Sequence, residues 1–151
     1  MGLSVSSGKP LSPILFIFSH SNPLMETEKA VLKANSFKEF NPMQCSVLKK
    51  NWKEKNLVIA SPTASGKTII AEIATLHSII SKKQKVIYTC PLRALATEHY
   101  NDLKKKYSKQ LGIRMALSTG DLDSSSKYLS NYDLIFTTYE KLDSLIRHRV
   151  E

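Results

Sequence analysis

The sequence is short of cysteine: two in 151 residues, with no Cys-x-x-Cys pair. That excludes a disulfide framework and a cysteine-ligated zinc site, and fits a reduced compartment. No apolar run approaches the roughly 18 residues that a membrane-spanning helix needs. Internal repeats are absent. Acidic residues are scarce beside basic ones, 13 against 22, which leaves a formal charge of +9. Such a surplus draws polyanions, nucleic acid before anionic membrane, without specifying a fold. With 42% hydrophobic and 23% charged residues, the composition is that of one folded domain rather than a disordered tail.

Residues 1–24 differ in character from the rest. They hold three of the six prolines, many serines and a single apolar burst, Ile14 to Phe18. Five residues fall short of the about 7–15 that an exported leader carries, so a loose extension is expected. Met25 opens a helical pattern and could itself be the start. From there the signals alternate. Ala30, Val31 and Ala34 share a helical face between Glu26 and Asn35. Asn41 and Pro42 are a cap and a first helical position, and the helix they open is expected to reach about Lys55. Leu57–Ala60 reads as a strand buried on both faces. Lys67–Ser81 reads as a helix, Val86–Cys90 as a strand, and Leu92–Tyr107 as a helix. Ile113–Ser118 is a strand, Thr119–Ser126 a polar loop, Leu134–Thr138 a strand and Glu140–Arg147 a helix. Strands separated by helices of this length predict an α/β fold, a parallel sheet with helices on both faces.

The chemistry is concentrated in Ser61-Pro62-Thr63-Ala64-Ser65-Gly66-Lys67-Thr68. It lies between an apolar run and an amphipathic helix, and its end is the core of a Walker A loop. Backbone N–H groups from Ala64 to Thr68 would face phosphates, aided by the helix N-terminus. Gly66 permits close approach, Lys67 would contact the β- and γ-phosphates of ATP, and the Thr68 hydroxyl would ligate Mg²⁺. Ser61 replaces the usual first glycine. Ala64 stands where many relatives carry glycine; because alanine resists positive φ, the loop is expected to hold it at negative φ. Upstream, Phe37, Phe40 and Gln44 offer rings and an amide able to donate to and accept from an adenine edge. Taken alone, a phenylalanine before a helix is more often a hydrophobic staple and a helical glutamine more often solvated.

The order of these segments resembles a superfamily-two helicase. FNPMQ resembles the Q-motif, ASPTASGKT motif I, PLRALATE motif Ia, STGD the glycine-containing motif that follows, and TTYEKLDSLIRH motif Ib. The stretch from STGD to the arginines after motif Ib is similar to the archaeal Hjm-type DNA repair helicases. These belong to the superkiller-like group that includes the helicase part of DNA polymerase theta. The resemblance covers residues 25–151, and implies part of a RecA-like first domain from a 3′-to-5′ translocase that hydrolyses ATP and unwinds forked DNA. It makes Gln44 the adenine reader and Phe37 its stacking companion. It assigns Arg93, Thr119, Gly120 and Thr138 to the phosphates of the tracking strand. Tyr139 departs from the proline or asparagine of many relatives. Residence would be cytoplasmic, at the nucleoid in an archaeon or in the nucleus of a eukaryote, with no membrane partner.

What the resemblance leads one to look for, and does not find, is an Asp-Glu pair: the sequence has none. A DExH box orders Mg²⁺ through its aspartate and positions the attacking water through its glutamate. The expected reading is therefore a helicase ATP-binding piece that is inactive alone, or half of a split enzyme completed by a second chain. A superkiller-like RNA helicase piece, a small P-loop enzyme such as a kinase, and a non-catalytic nucleic-acid-binding module are the alternatives. Against the P-loop enzyme, no aspartate ends an apolar strand; Asp133 precedes one. Lys104-Lys105-Lys106 reads as a solvated helix face, and the four histidines lack ligand spacing.

Overall fold

The computed structural model describes residues 25–50, 52–53, 55–120 and 126–147; the expected extension over residues 1–24 lies outside them. Three helices come first: α1 (Glu26–Ala34), α2 (Pro42–Leu48) and α3 (Lys67–Leu76), the last continued by a π-turn over His77–Ser81. Strand β1 (Val86–Cys90) follows, then α4 (Arg93–Leu103), which runs on through a π-turn at Lys104–Ser108 to a last turn at Lys109–Leu111. After it come β2 (Met115–Ser118), the short α5 (Ser126–Leu129), β3 (Leu134–Thr138) and α6 (Tyr139–Arg147).

The three strands form a parallel sheet in the order β1-β3-β2. Leu134 is in register with both Val86 and Met115, and at the other end Cys90 faces Thr138 while Ser118 faces Thr137. Period-two alternation then divides the side chains. Tyr88 and Phe136 point to one face, where Phe136 meets the Tyr100 ring of α4 edge-on at 5.8 Å. Ile87, Ile135 and Thr137 point to the other, beside Leu142, Leu145 and Ile146 of α6 and Leu129 of α5. Helices on both faces of a parallel sheet are what the alternating pattern predicted.

The core lies on the Phe136 face. Val31, Ile73, Leu76, Leu103, Leu134 and Phe136 have no measurable exposure, and each such large apolar side chain contributes about 2 kcal/mol by leaving water. One carboxylate shares this interior. Glu72 of α3, 1% exposed, accepts hydrogen bonds from Tyr107 Oη at 2.7 Å, Asn35 Nδ2 at 3.1 Å and Lys106 Nζ at 3.1 Å. Burial, followed by the bond to Glu72, pushes the Tyr107 hydroxyl far above its ordinary range. Burial opposes the Lys106 ammonium, yet Asp102 and Glu72 together raise its pKa. A charge removed from water is tolerable only with such partners. Lys106 thus departs from the solvated face expected for the lysine run, whereas Lys104 lies exposed over the Tyr100 ring.

Two other expectations fail. The helix opened by Pro42 stops at Leu48 instead of reaching Lys55. Trp52 leaves the helical path to bury its ring edge-on against His77 at 5.4 Å, so tertiary burial overrides helical propensity. Leu57–Ala60 is not a strand buried on both faces. It pairs with none of the described strands, and Val58 is 93% exposed. Apolar composition makes a segment eligible for a sheet, but the ladder requires a neighbour with free N–H and C=O groups.

Candidate nucleotide and nucleic-acid site

The phosphate loop is shaped by two residues with left-handed backbone. Gly66, the cap residue of α3, has φ 87°, and Ala64 has φ 61°. The value at Ala64 overturns the negative φ expected of alanine. The loop geometry outweighs the side-chain preference, at a cost of about 1–2 kcal/mol. Gly66 is fixed by space as well: a Cβ there would lie 2.4 Å from Gln44 Nε2 and 3.1 Å from Asn41 Nδ2. No side chain caps α3; the Ile69 N–H turns back to the Gly66 carbonyl, and those of Lys67 and Thr68 face the loop, where an anion would lie.

Lys67 Nζ donates to the carbonyl oxygens of Ser61 and Pro62, both at 2.7 Å. The ammonium therefore spans the loop it belongs to, while the Ser61 and Ser65 hydroxyls are joined at 2.5 Å. Thr68 is exposed in the first turn of α3, and Pro62 and Thr63 are exposed on the loop.

The upstream segment is bolted to this loop. Asn41 and Gln44 form a reciprocal capping box, Gln44 N to Asn41 Oδ1 and Asn41 N to Gln44 Oε1, each 2.9 Å. Their remaining amide groups reach across: Asn41 Nδ2 donates to the Ser65 carbonyl at 3.0 Å and Gln44 Nε2 to that of Gly66 at 3.1 Å. Gln44 is only 4% exposed, and one hydrogen and one lone pair of its amide are already used. Composition and spacing do not signal this contact, since it joins residues 22 apart in sequence. Phe40 is buried and takes the staple position ahead of Asn41, whereas Phe37 is 46% exposed. A Schellman closure of α1, with Ser36 at φ 55° and Phe37 N donating to Leu32 O at 2.9 Å, sets Phe37 there.

A second group gathers at the carboxyl edge of the sheet. Arg93 opens α4 three residues beyond β1, Thr119 and Gly120 follow β2, and Thr138 ends β3. The parallel register brings these strand ends side by side, where open α/β sheets bind ligands. Arg93 is exposed; Thr119 and Gly120 are half-buried. Thr138 is buried, and its Oγ1 accepts the Lys141 N–H at 3.3 Å. It caps α6 and keeps its own hydrogen for donation. Asp133 sits at the opposite, amino edge. There it accepts Arg114 N at 2.9 Å, Nη2 at 3.0 Å and Nε at 3.2 Å, and these bonds hold its carboxyl below the usual range. It is not a carboxylate at the phosphate end, which removes the reading as a small P-loop kinase that would enlist it.

The profile of the DEAD/DEAH box helicases matches residues 41–151, from the capping asparagine through α6. This chain belongs to the DEAD/DEAH box helicase family. It is 45% identical over 127 residues to the ATP-dependent DNA helicase Hel308 of Thermococcus kodakarensis, a match covering 83% of this chain and 11% of that protein. The Hel308 of Pyrococcus horikoshii is 44% identical over 124 residues, 82% of this chain and 17% of the relative. Among solved structures, the DUF1998 helicase MrfA bound to DNA superposes with a TM-score of 0.63 at 25% identity. That likeness covers 82% of this chain and 18% of MrfA. The resemblance to archaeal DNA helicases of the superkiller-like group is borne out, and so is the α/β class. The chain spans between a tenth and a fifth of the length of these relatives. Among the described residues no helix is long and apolar enough to cross a membrane.

Proposed function

We propose that this chain is the ATP-binding portion of a 3′-to-5′ DNA helicase acting on forked or single-stranded DNA, and that it binds ATP without hydrolysing it alone. The observation that carries this reading is the junction at Gly66, where the Q-motif amide meets the phosphate-loop carbonyl. The residues fit the nucleotide. Lys67 holds two carbonyl oxygens, positions that phosphate oxygens would take over when ATP enters. Thr68 would hold Mg²⁺, and that ion bridges and neutralises β- and γ-phosphate charge when bound. Phe37 would stack on adenine, and Gln44 would read its edge with the hydrogen and lone pair still free. Ser61 to Gly66 would wrap the phosphates with backbone N–H groups. Arg93, Thr119, Gly120 and Thr138 would grip the tracking strand by its phosphates alone, since a translocase must pass any sequence.

Hydrolysis calls for carboxylates beside Mg²⁺ and the attacking water, and the sequence contains no Asp-Glu pair to supply them. Motif II and a second RecA-like domain, on whichever polypeptide carries them, would complete the site. The experiment is equilibrium binding of a fluorescent ATP analogue to the full chain and to its Lys67→Ala variant. Saturable binding that weakens about 10-fold or more in the variant supports the site; equal binding by both would refute it.

A further inference from the structure

The phosphate loop and the strand ends leave most of the positive charge unexplained. Seven of the 22 basic residues fall in two short segments, Lys49, Lys50, Lys53 and Lys55 in one and Lys82, Lys83 and Lys85 in the other, against one carboxylate, Glu54. The fold brings the two together. Trp52 buries its ring against His77, and Lys82 Nζ donates to the Lys53 carbonyl at 2.6 Å. Lys85 in turn binds the Ser130 carbonyl, immediately ahead of β1. Lys49, Lys50, Lys53, Lys55, Lys83 and Lys85 are all exposed.

The place is as informative as the charge. These lysines surround the carboxyl end of α3 and its π-turn, about 22 Å along the helix from the phosphate loop at 1.5 Å per residue. They also lie at the amino edge of the sheet, whereas Arg93, Thr119 and Thr138 lie at the carboxyl edge. The negative end of a helix attracts a cation or two within its last turn, which accounts for Lys82 but not for six more. The nearby Asp133 is bound by Arg114 and feels the Lys85 charge as well, a single carboxylate against the whole cluster.

We propose that this lysine cluster is a second nucleic-acid surface, one that takes the phosphates of duplex DNA independently of sequence and of nucleotide. Lysines are flexible point charges suited to backbone phosphates rather than base edges. Within the two lysine segments the one aromatic residue, Trp52, is buried, so they present charge without a stacking ring; unstacked single strands therefore find less to hold there than the dense phosphates of a duplex.

The test is fluorescence anisotropy of a labelled blunt duplex and a labelled single strand against the full chain between about 50 and 200 mM salt. The variant replaces Lys50, Lys53, Lys55 and Lys83 by alanine, and a companion replaces them by arginine. Lys82 and Lys85 are left alone because their ammonium groups hold backbone carbonyls. Each lost phosphate contact lowers the log–log salt slope by about 0.9, so the alanine variant should lose up to about 3.6 in slope and at least about 10-fold in duplex affinity. The arginine variant should retain both, as should Arg93→Ala on the duplex. Unchanged duplex slope and affinity in the alanine variant would overturn the proposal. So would loss in the arginine variant as well, or binding to phosphatidylserine vesicles that depends on these lysines while duplex binding does not. Binding of the ATP analogue should be unaffected in the lysine variants, so failure of the nucleotide reading would show itself separately, through Lys67→Ala.

Discussion

Replacing Ala64 by glycine should stabilise the protein, although it removes a methyl group and adds chain entropy. Ala64 is exposed at φ 61°, so its methyl group contributes little burial and the substitution isolates the backbone term. An L-residue in the left-handed region costs about 1–2 kcal/mol. Glycine relieves that and gives back about 0.4–1 kcal/mol through the greater freedom of the unfolded chain. The balance is a gain of roughly 0.5–1 kcal/mol, or about 1–4 °C in melting temperature for a domain of this size. Ala64→Val should move the other way by at least as much, because a β-branched side chain is a worse tenant of positive φ. Thermal and urea unfolding followed by circular dichroism would measure both, with an unchanged m-value showing that stability has changed and not the compactness of either state. If Ala64→Gly lowered the midpoint and Ala64→Val were tolerated, the left-handed loop would be wrong.

Three further substitutions probe the surrounding framework. Glu72→Ala should cost about 3 kcal/mol in urea unfolding, since it strands the buried Tyr107 hydroxyl and leaves the Lys106 ammonium with Asp102 alone; a loss under 1 kcal/mol, about what an exposed ion pair is worth, would show that the pocket is wet. Gly66→Ala should abolish binding of the ATP analogue, because its Cβ would strike Gln44 Nε2, and retained affinity would contradict the observed junction. Asp133 has its folded pKa depressed by Arg114, so its stabilisation is full above the unfolded value near ~3.9 and lost as pH falls through the folded one. Asp133→Asn should therefore flatten the stability change between about pH 5 and pH 2.5, and an acid profile identical to that of the parent would refute the assignment.

Much of this was legible in local sequence because local rules decide it. Leu134–Thr138 and Val86–Cys90 are strands over the whole span expected of them, where runs of β-branched and aromatic residues meet clear breaks. Asn41-Pro42 starts a helix because a cap and a fixed φ act within one turn. The failures share a cause too. The Trp52 ring, the Gln44 bond to Gly66 and the Glu72 cluster join residues far apart in the chain, so no local window contains both partners. Leu57–Ala60 has the composition of a strand, but pairing is a property of two segments. At Ala64 the residue preference pointed the wrong way: the loop's closure, held by Lys67, Asn41 and Gln44, sets the backbone angle. The phosphate loop itself is legible in its motif, whereas its attachment to Gln44 exists only in the folded chain.

Whether the proposed nucleotide site can carry hydrolysis is decided by ATP turnover. The purified chain, shown to be folded, would be assayed for phosphate release with and without single-stranded DNA beside Lys67→Ala. No release above background is expected from either protein. Turnover by the parent chain that disappears in Lys67→Ala would contradict it, and would mean that another carboxylate of this sequence serves the attacking water.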